Sequence, residues 1–145
     1  MSENDILPCM IKDHCKIEKL LADFQENIEK EYPLMKKSFT KFEWELEKHI
    51  FVEEKAIFTS YHPEDVSEGY KMLPELTIQH NFILNQLNNW RRDFQSKKNI
   101  DDLNKFKNFL INHREFEEKE IYPKLDQSLN ETQKKHIIDR LDEII

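Results

Sequence analysis

His14, His49, His80 and His113 each interrupt a series of apolar residues spaced three and four apart, and Glu53 and Glu117 follow two of them at the fourth position. A carboxylate is almost never fully buried unless it is paired or bound to a metal. Left alone in an apolar interior, it costs several kcal/mol or takes up a proton. Imidazole nitrogen and carboxylate oxygen without thiolate suit iron, manganese or zinc. These six side chains suffice for two divalent ions, with two imidazoles on each ion and Glu53 and Glu117 bridging between them. They cannot fill two octahedral spheres, so some positions stay open to water, hydroxide, oxygen or another small ligand.

An internal repeat ties the six together. Residues 48–58, KHIFVEEKAIF, match residues 112–122, NHREFEEKEIY, at an offset of 64. Upstream, His14, Ile17 and Leu21 match His80, Ile83 and Leu87 at an offset of 66. The chain therefore reads as two helical hairpins, each with one lone His and one His-x-x-x-Glu. A residue and its i+4 neighbour share a helix face one turn apart. Two such hairpins folded together bring four His and two Glu into one layer.

The elements that must position them are long helices. Leu7, Met10, His14, Ile17, Leu21, Phe24 and Ile28 form one stripe, and Leu73, Leu76, His80, Ile83, Leu87, Trp90 and Phe94 another. Phe42, Leu46, His49, Glu53 and Ala56 form a third, and Leu103, Phe106, Leu110, His113, Glu117 and Ile121 a fourth. That spacing faces partner helices. The first helix is expected from Pro8 to about Tyr32, ended by Pro33, and the second from Leu34 to about Ser60. His62-Pro63-Glu64-Asp65 opens a loop closing near Gly69, and a third helix with Pro74 in its early turns reaches about Gln95. A fourth, capped by Asn99 or Asp101, ends at Tyr122-Pro123. Asn130 and Gln133 resemble a capping box for a short fifth helix over about 131–143. The expectation is all-α: an antiparallel up-down four-helix bundle with a short C-terminal fifth helix, as one domain over 1–145, its bundle spanning about 8–123.

Composition agrees. The chain of 145 residues holds one Gly and ten Phe. Tight turns in sheet-rich domains usually need Gly, and aromatics at this density separate the chain from disordered ones. A net charge of −7 argues against nucleic acid as a partner. No apolar run reaches the length of about 18 residues that a membrane helix needs. The opening MSENDILPCM lacks a basic segment followed by an apolar one. With Cys9 and Cys15 read as reduced thiols, a cytoplasmic location is expected.

At this point the residues resemble the hemerythrin-like, or HHE cation-binding, family. Its pattern is a His on the first helix, His-x-x-x-Glu on the second, His on the third, and His-x-x-x-Glu or His-x-x-x-x-Asp on the fourth. Here the pieces read DHCKI at 13–17, HIFVEE at 49–54, QHNFI at 79–83 and HREFEE at 113–118. The resemblance implies a non-haem di-iron centre with an oxo or hydroxo bridge, in a protein that binds oxygen, senses oxygen or iron, or handles nitric oxide or peroxide. Two departures separate this chain from oxygen carriers of the family. Those have a second His one turn after the third-helix His, where this chain has Leu84. They have an Asp five residues after the fourth-helix His, where this chain has Glu118, with Glu117 at four. The stripe favours Glu117 as ligand, with Glu118 as the alternative. Ferritin-like bundles use Glu-x-x-His, but the positions three before the histidines are Ile11, Leu46, Thr77 and Leu110.

Other residues have plainer readings. Glu54 and Glu118 are expected in solvent, where they could orient a ligating histidine. Glu45 lies one turn before His49 and is an extra ligand candidate. Tyr61, Tyr70 and Tyr122 are packing residues near helix ends, or a phenol in the place left by Leu84. His62 and His136 are expected on the surface. Cys15 is expected as a buried thiol, and Phe51, Phe82 and Phe116 as core.

Overall fold

Helices form where the stripes are, because only a helical backbone puts residues three and four apart on one face. The computed structural model describes residues 5–57, 73–98, 100 and 102–144. In chain order they form α1 (Ile6–Asn27), α2 (Tyr32–Val52), a π-helical segment Glu53–Ile57, α3 (Leu73–Gln95), α4 (Leu103–Phe116), a second π-helical segment Glu117–Ile121, α5 (Tyr122–Ser128) and α6 (Glu131–Ile144). No strand occurs among the described residues. The protein is all-helical, and its long helices pack as a bundle.

Two prolines sit at helix starts rather than helix ends. α1 ends at Asn27, and Pro33 lies in the first turn of α2. Pro123 likewise lies in the first turn of α5, which continues directly from the segment before it. At Pro33 the first turn has N–H groups without intrahelical partners, so proline loses nothing there. At Pro123 the chain is already helical, with the Tyr122 N–H bonded to the Glu117 carbonyl across the wider turn, so the fourth long helix does not stop at Tyr122-Pro123. The expected helix over 53–60 is described only as far as Ile57. Ser60, Tyr61, His62, Pro63, Glu64, Asp65, Gly69, Tyr70, Asn99 and Asp101 lie outside the described residues.

The ends of α1 and α6 are fastened by polar contacts. The Ile6 and Leu7 N–H groups donate to the two carboxylate oxygens of Asp126 on α5, at 2.7 and 3.0 Å. A negative charge at a helix N-terminus satisfies open N–H groups and complements the helix dipole. Lys134 on α6 reaches Asp5 at 2.6 Å. Asn130 and Gln133 make the reciprocal capping-box bonds, at 2.9 and 2.8 Å.

The apolar residues divide into two clusters. The first includes Ile17, Leu21, Phe24, Phe39, Phe42, Leu46, Ile83, Leu87, Trp90, Phe94, Phe106 and Leu110. The second includes Ile6, Met10, Ala56, Ile57, Leu76, Ile121, Tyr122, Leu125, Ile137 and Leu141, so α6 closes that end. On each long helix the polar stripe positions lie between the two. Along α1 the order runs from Met10 through His14 to Ile17, and along α2 from Leu46 through His49 to Ala56 in the following segment. α3 and α4 repeat that alternation. Burial of each large apolar side chain contributes about 1.5–3 kcal/mol.

Some expected core residues are outside it. Phe51 is 51% exposed and Phe82 40%. Both fall off the stripes, and Phe82 instead covers Phe109, ring centroids 4.2 Å apart. Phe116 is partly buried against the second cluster. Cys15, one residue past His14, turns outward with Cys9, so it is an exposed thiol, not a buried one. Among the described residues, no helix is long and apolar enough to cross a membrane.

Candidate metal centre

The layer between the clusters collects all six sequence-marked residues. His14 comes from α1, His49 from α2, His80 from α3 and His113 from α4, while Glu53 and Glu117 open the two π-helical segments. All six are buried, and Glu53, His80 and Glu117 are wholly inaccessible. The π-helical turn matters locally. A wider turn lets two successive carboxylates, Glu53-Glu54 and Glu117-Glu118, both reach the layer, and such turns recur at functional sites.

The inward nitrogens converge on the two carboxylates. His14 Nε2 lies 3.1 Å from both His49 Nε2 and Glu117 Oε1. His49 Nε2 is 2.8 Å from Glu53 Oε1, and His113 Nε2 is 3.2 Å from Glu117 Oε1. His80 Nε2 is 3.6 Å from Glu53 Oε1 and 3.8 Å from Glu117 Oε2. Two groups of mutually close donor atoms result: Glu53, His80, His113 and Glu117, and His14, His49 and Glu117.

The outward nitrogens are each matched by an oxygen. His14 Nδ1 donates to Glu118 at 2.8 Å and His49 Nδ1 to Asp13. His80 Nδ1 donates to Glu54 at 3.1 Å and His113 Nδ1 to the Gln79 amide oxygen at 2.6 Å. The Gln79 Nε2 amide donates to Glu75, so its oxygen is the atom left to accept. A neutral imidazole that donates through Nδ1 carries its lone pair on Nε2. Four lone pairs therefore point at two carboxylates, acceptor against acceptor. His113 Nε2 is buried with no hydrogen bond among the described residues. Protons or cations must fill such a centre, and metal-ligating histidines are held by this kind of outer oxygen.

The electrostatics say which of the groups hold protons in the metal-free protein. Burial opposes a charge on His49, but Glu53 and Asp13 outweigh it and raise its pKa to about 9. Burial raises Glu53, yet His49 and His80 hold it well below the usual carboxylate range. Burial, with the neighbouring imidazoles, lowers His113 to about 3 despite the pull of Glu53. His14 is lowered by burial and by His49. So a proton on His49 stands where a cation would otherwise balance Glu53.

Two contributors, Asp13 and Gln79, are not marked by the stripes, although each directly precedes a lone His at the repeat offset of 66. Tyr122 is wholly buried, and its O–H donates to Glu53 and, at 3.2 Å, to Glu117 Oε2. Burial and then Glu53 push its pKa well above the usual phenol value, so it stays a donor. Glu118 binds His14 Nδ1 from outside, and Glu45 pairs with Lys16 and Lys48 at 2.9 and 3.0 Å. Neither joins the two donor groups. His136 is exposed.

A bundle of helices with a buried nitrogen–carboxylate layer defines a cation-binding helical protein. Residues 5–125 match the family described as the hemerythrin HHE cation binding domain, and the chain belongs to that family. A search of curated proteins and a search of solved structures each find no match. Membership and the buried layer agree on cation binding, and the donor set fits the metals such a family holds.

Proposed function

We propose that the protein is a non-haem di-iron protein that binds oxygen or a related small ligand such as peroxide or nitric oxide, for sensing, storage or delivery. In this reading His14, His49, Glu53, His80, His113 and Glu117 hold two irons, with Glu53 and Glu117 between them. Manganese or zinc could substitute. The helices form an antiparallel up-down four-helix bundle with α6 across one end, supported by the alternating order of cluster, polar layer and cluster along successive helices. The two exposed free thiols support a reducing compartment, the cytoplasm.

One observation carries this reading: every outward imidazole nitrogen is satisfied and every inward one is aimed at a carboxylate. When bound, the iron pair supplies exchangeable electrons and open coordination positions. The protein's own groups do the rest. Glu118, Asp13, Glu54 and Gln79 fix ring orientation. The apolar clusters on either side keep the layer dry, and Glu53 and Glu117 balance charge.

A second reading is an enzyme that consumes peroxide, oxygen or nitric oxide. The Tyr122 O–H favours it, because it holds a proton at the carboxylate pair. Turnover needs such a proton source, and reversible binding does not.

The test is metal content of the purified protein together with its absorption spectrum in air and after anaerobic reduction. About two irons per chain, with charge-transfer bands that bleach on reduction, is the expected result. No iron after anaerobic reconstitution would return the six residues to a polar network. Sustained consumption of an oxidant then separates the enzyme from the binding module.

A further inference from the structure

The hydrogen bonds around the layer follow the internal repeat. Glu118 on the second hairpin holds His14 on the first, and Glu54 on the first holds His80 on the second. Asp13 holds His49 within the first hairpin, and Gln79 holds His113 within the second. Each contact maps onto its repeat partner with one change of chemistry: a carboxylate at 13 and an uncharged amide at 79. His14 and His49 are thus backed by two carboxylates, and His80 and His113 by one. Asp13 is buried, and the lysine that reaches it, Lys16, is exposed at 3.8 Å. Glu118 has Arg114 Nε at 3.9 Å, also partly exposed. Exposed partners are screened by water, so the surplus of negative charge stays with the first pair.

We infer that Asp13 and Gln79 make the two metal positions unequal, and that the position held by His14 and His49 takes the more highly charged ion of a pair. This rests on the two-ion reading above. An anionic partner makes an imidazole a stronger donor than an amide partner does, and changes to such partners alter metal affinity by about 10–100-fold. In an iron pair of unequal charge, the ferric ion belongs beside Asp13. Gln79 is a positioning residue that leaves its half weaker.

The test uses two redox-inert ions. Metal-free protein is loaded with equimolar gallium(III) and zinc(II), and anomalous diffraction at the two absorption edges locates each ion. In the wild-type protein gallium should exceed zinc beside His14 and His49 by at least about 10-fold. Gln79→Glu should even the distribution, and Asp13→Asn with Gln79→Glu should move gallium beside His80 and His113. These changes are nearly isosteric, and circular dichroism checks that the helices persist. Gallium divided evenly in the wild type, or unmoved by the exchange, overturns the inference while leaving two bound ions in place. Fewer than two ions in the layer overturns the two-ion reading and the inference with it.

Discussion

The aromatic cluster of Phe24, Phe39, Phe42, Trp90, Phe94 and Phe106 and the layer of His14, His49, Glu53, His80, His113 and Glu117 are built from the same four long helices, with the π-helical segments adding Glu53 and Glu117 to the layer. In the first, most rings meet at tilted or edge-on angles, with Phe39 and Phe94 centroids 4.7 Å apart and Trp90 and Phe106 4.8 Å apart, while Phe24 and Phe42 stack. That geometry is favourable in itself. In the second, buried acceptors face one another and become favourable only when protons or cations lie between them. The difference teaches that this bundle separates what holds it together from what it is for. The apolar clusters provide the stability that tolerates an energetically poor layer between them.

Substitutions can break that separation. Trp90→Ala should have the largest effect, about 3–5 kcal/mol of lost stability from transfer and cavity costs. Metal per folded chain should stay at the wild-type value. Denaturant titration with metal analysis of the folded fraction checks both, and a parallel loss of metal would show that the two regions are one. His49→Ala or Glu53→Ala should do the reverse. Metal affinity should fall at least about 100-fold, beyond the range for groups that only orient a ligand. Metal-free stability should change less than in Trp90→Ala, and His136→Ala should leave both untouched. Chelator competition measures the affinity.

Tyr122 joins the polar layer to the apolar packing on its other side, since its ring packs in the second apolar cluster and its O–H enters the layer. Tyr122→Phe keeps the ring and removes a bond to a charged group, worth about 1.5–3 kcal/mol. The loss should appear in the metal-free protein and shrink once the carboxylates are occupied by metal. An equal loss with and without metal would place Tyr122 with the second apolar cluster alone.

Proton binding sharpens the comparison through pH. His49 titrates at about 9 in the metal-free fold against 6.5 for a free imidazole. Its contribution is fully present below 6.5 and is lost as pH rises toward about 9. His113 is lowered to about 3, so the fold holds it neutral, and stability falls as pH drops from 6.5 toward about 3. The two slopes oppose each other, and metal-free stability should peak near pH 6.5, as thermal melts across pH would register. Metal uptake must expel the His49 proton, so calorimetry near neutral pH should detect proton release. Uptake without proton release would mean that the cation and the proton do not compete for the Glu53 position.

Much of this was legible in the residues because burial follows periodicity. The stripe histidines and Glu53 and Glu117 lie on the same faces as Leu46, Ile83 and Leu110, so their burial followed from the stripes. The capping box at Asn130 and Gln133 was legible for a similar reason, since both bonds are local. Contacts between distant elements left no such trace. Asp126 caps α1 from about 120 residues away. Asp13 and Gln79 are ordinary polar residues until the helices pack. The prolines misled for different reasons: Pro33 begins a new helix after a break, and at Pro123 the helix continues through a wider turn. Phe51 and Phe82 misled because hydrophobicity was weighed without their position relative to the stripe.

The π-helical turns at Glu53–Ile57 and Glu117–Ile121 have a consequence for the register of the bundle. Each is equivalent to a regular helix that has gained one residue, and both occur at the same place in the internal repeat. The wider turn absorbs the extra residue, so deleting it restores a regular helix and leaves Ala56 and Ile57, or Ile121 and Tyr122, close to their places in the second cluster. The change falls on Glu53-Glu54 or Glu117-Glu118 instead. The centre can therefore be altered at these turns without altering the packing on either side of it.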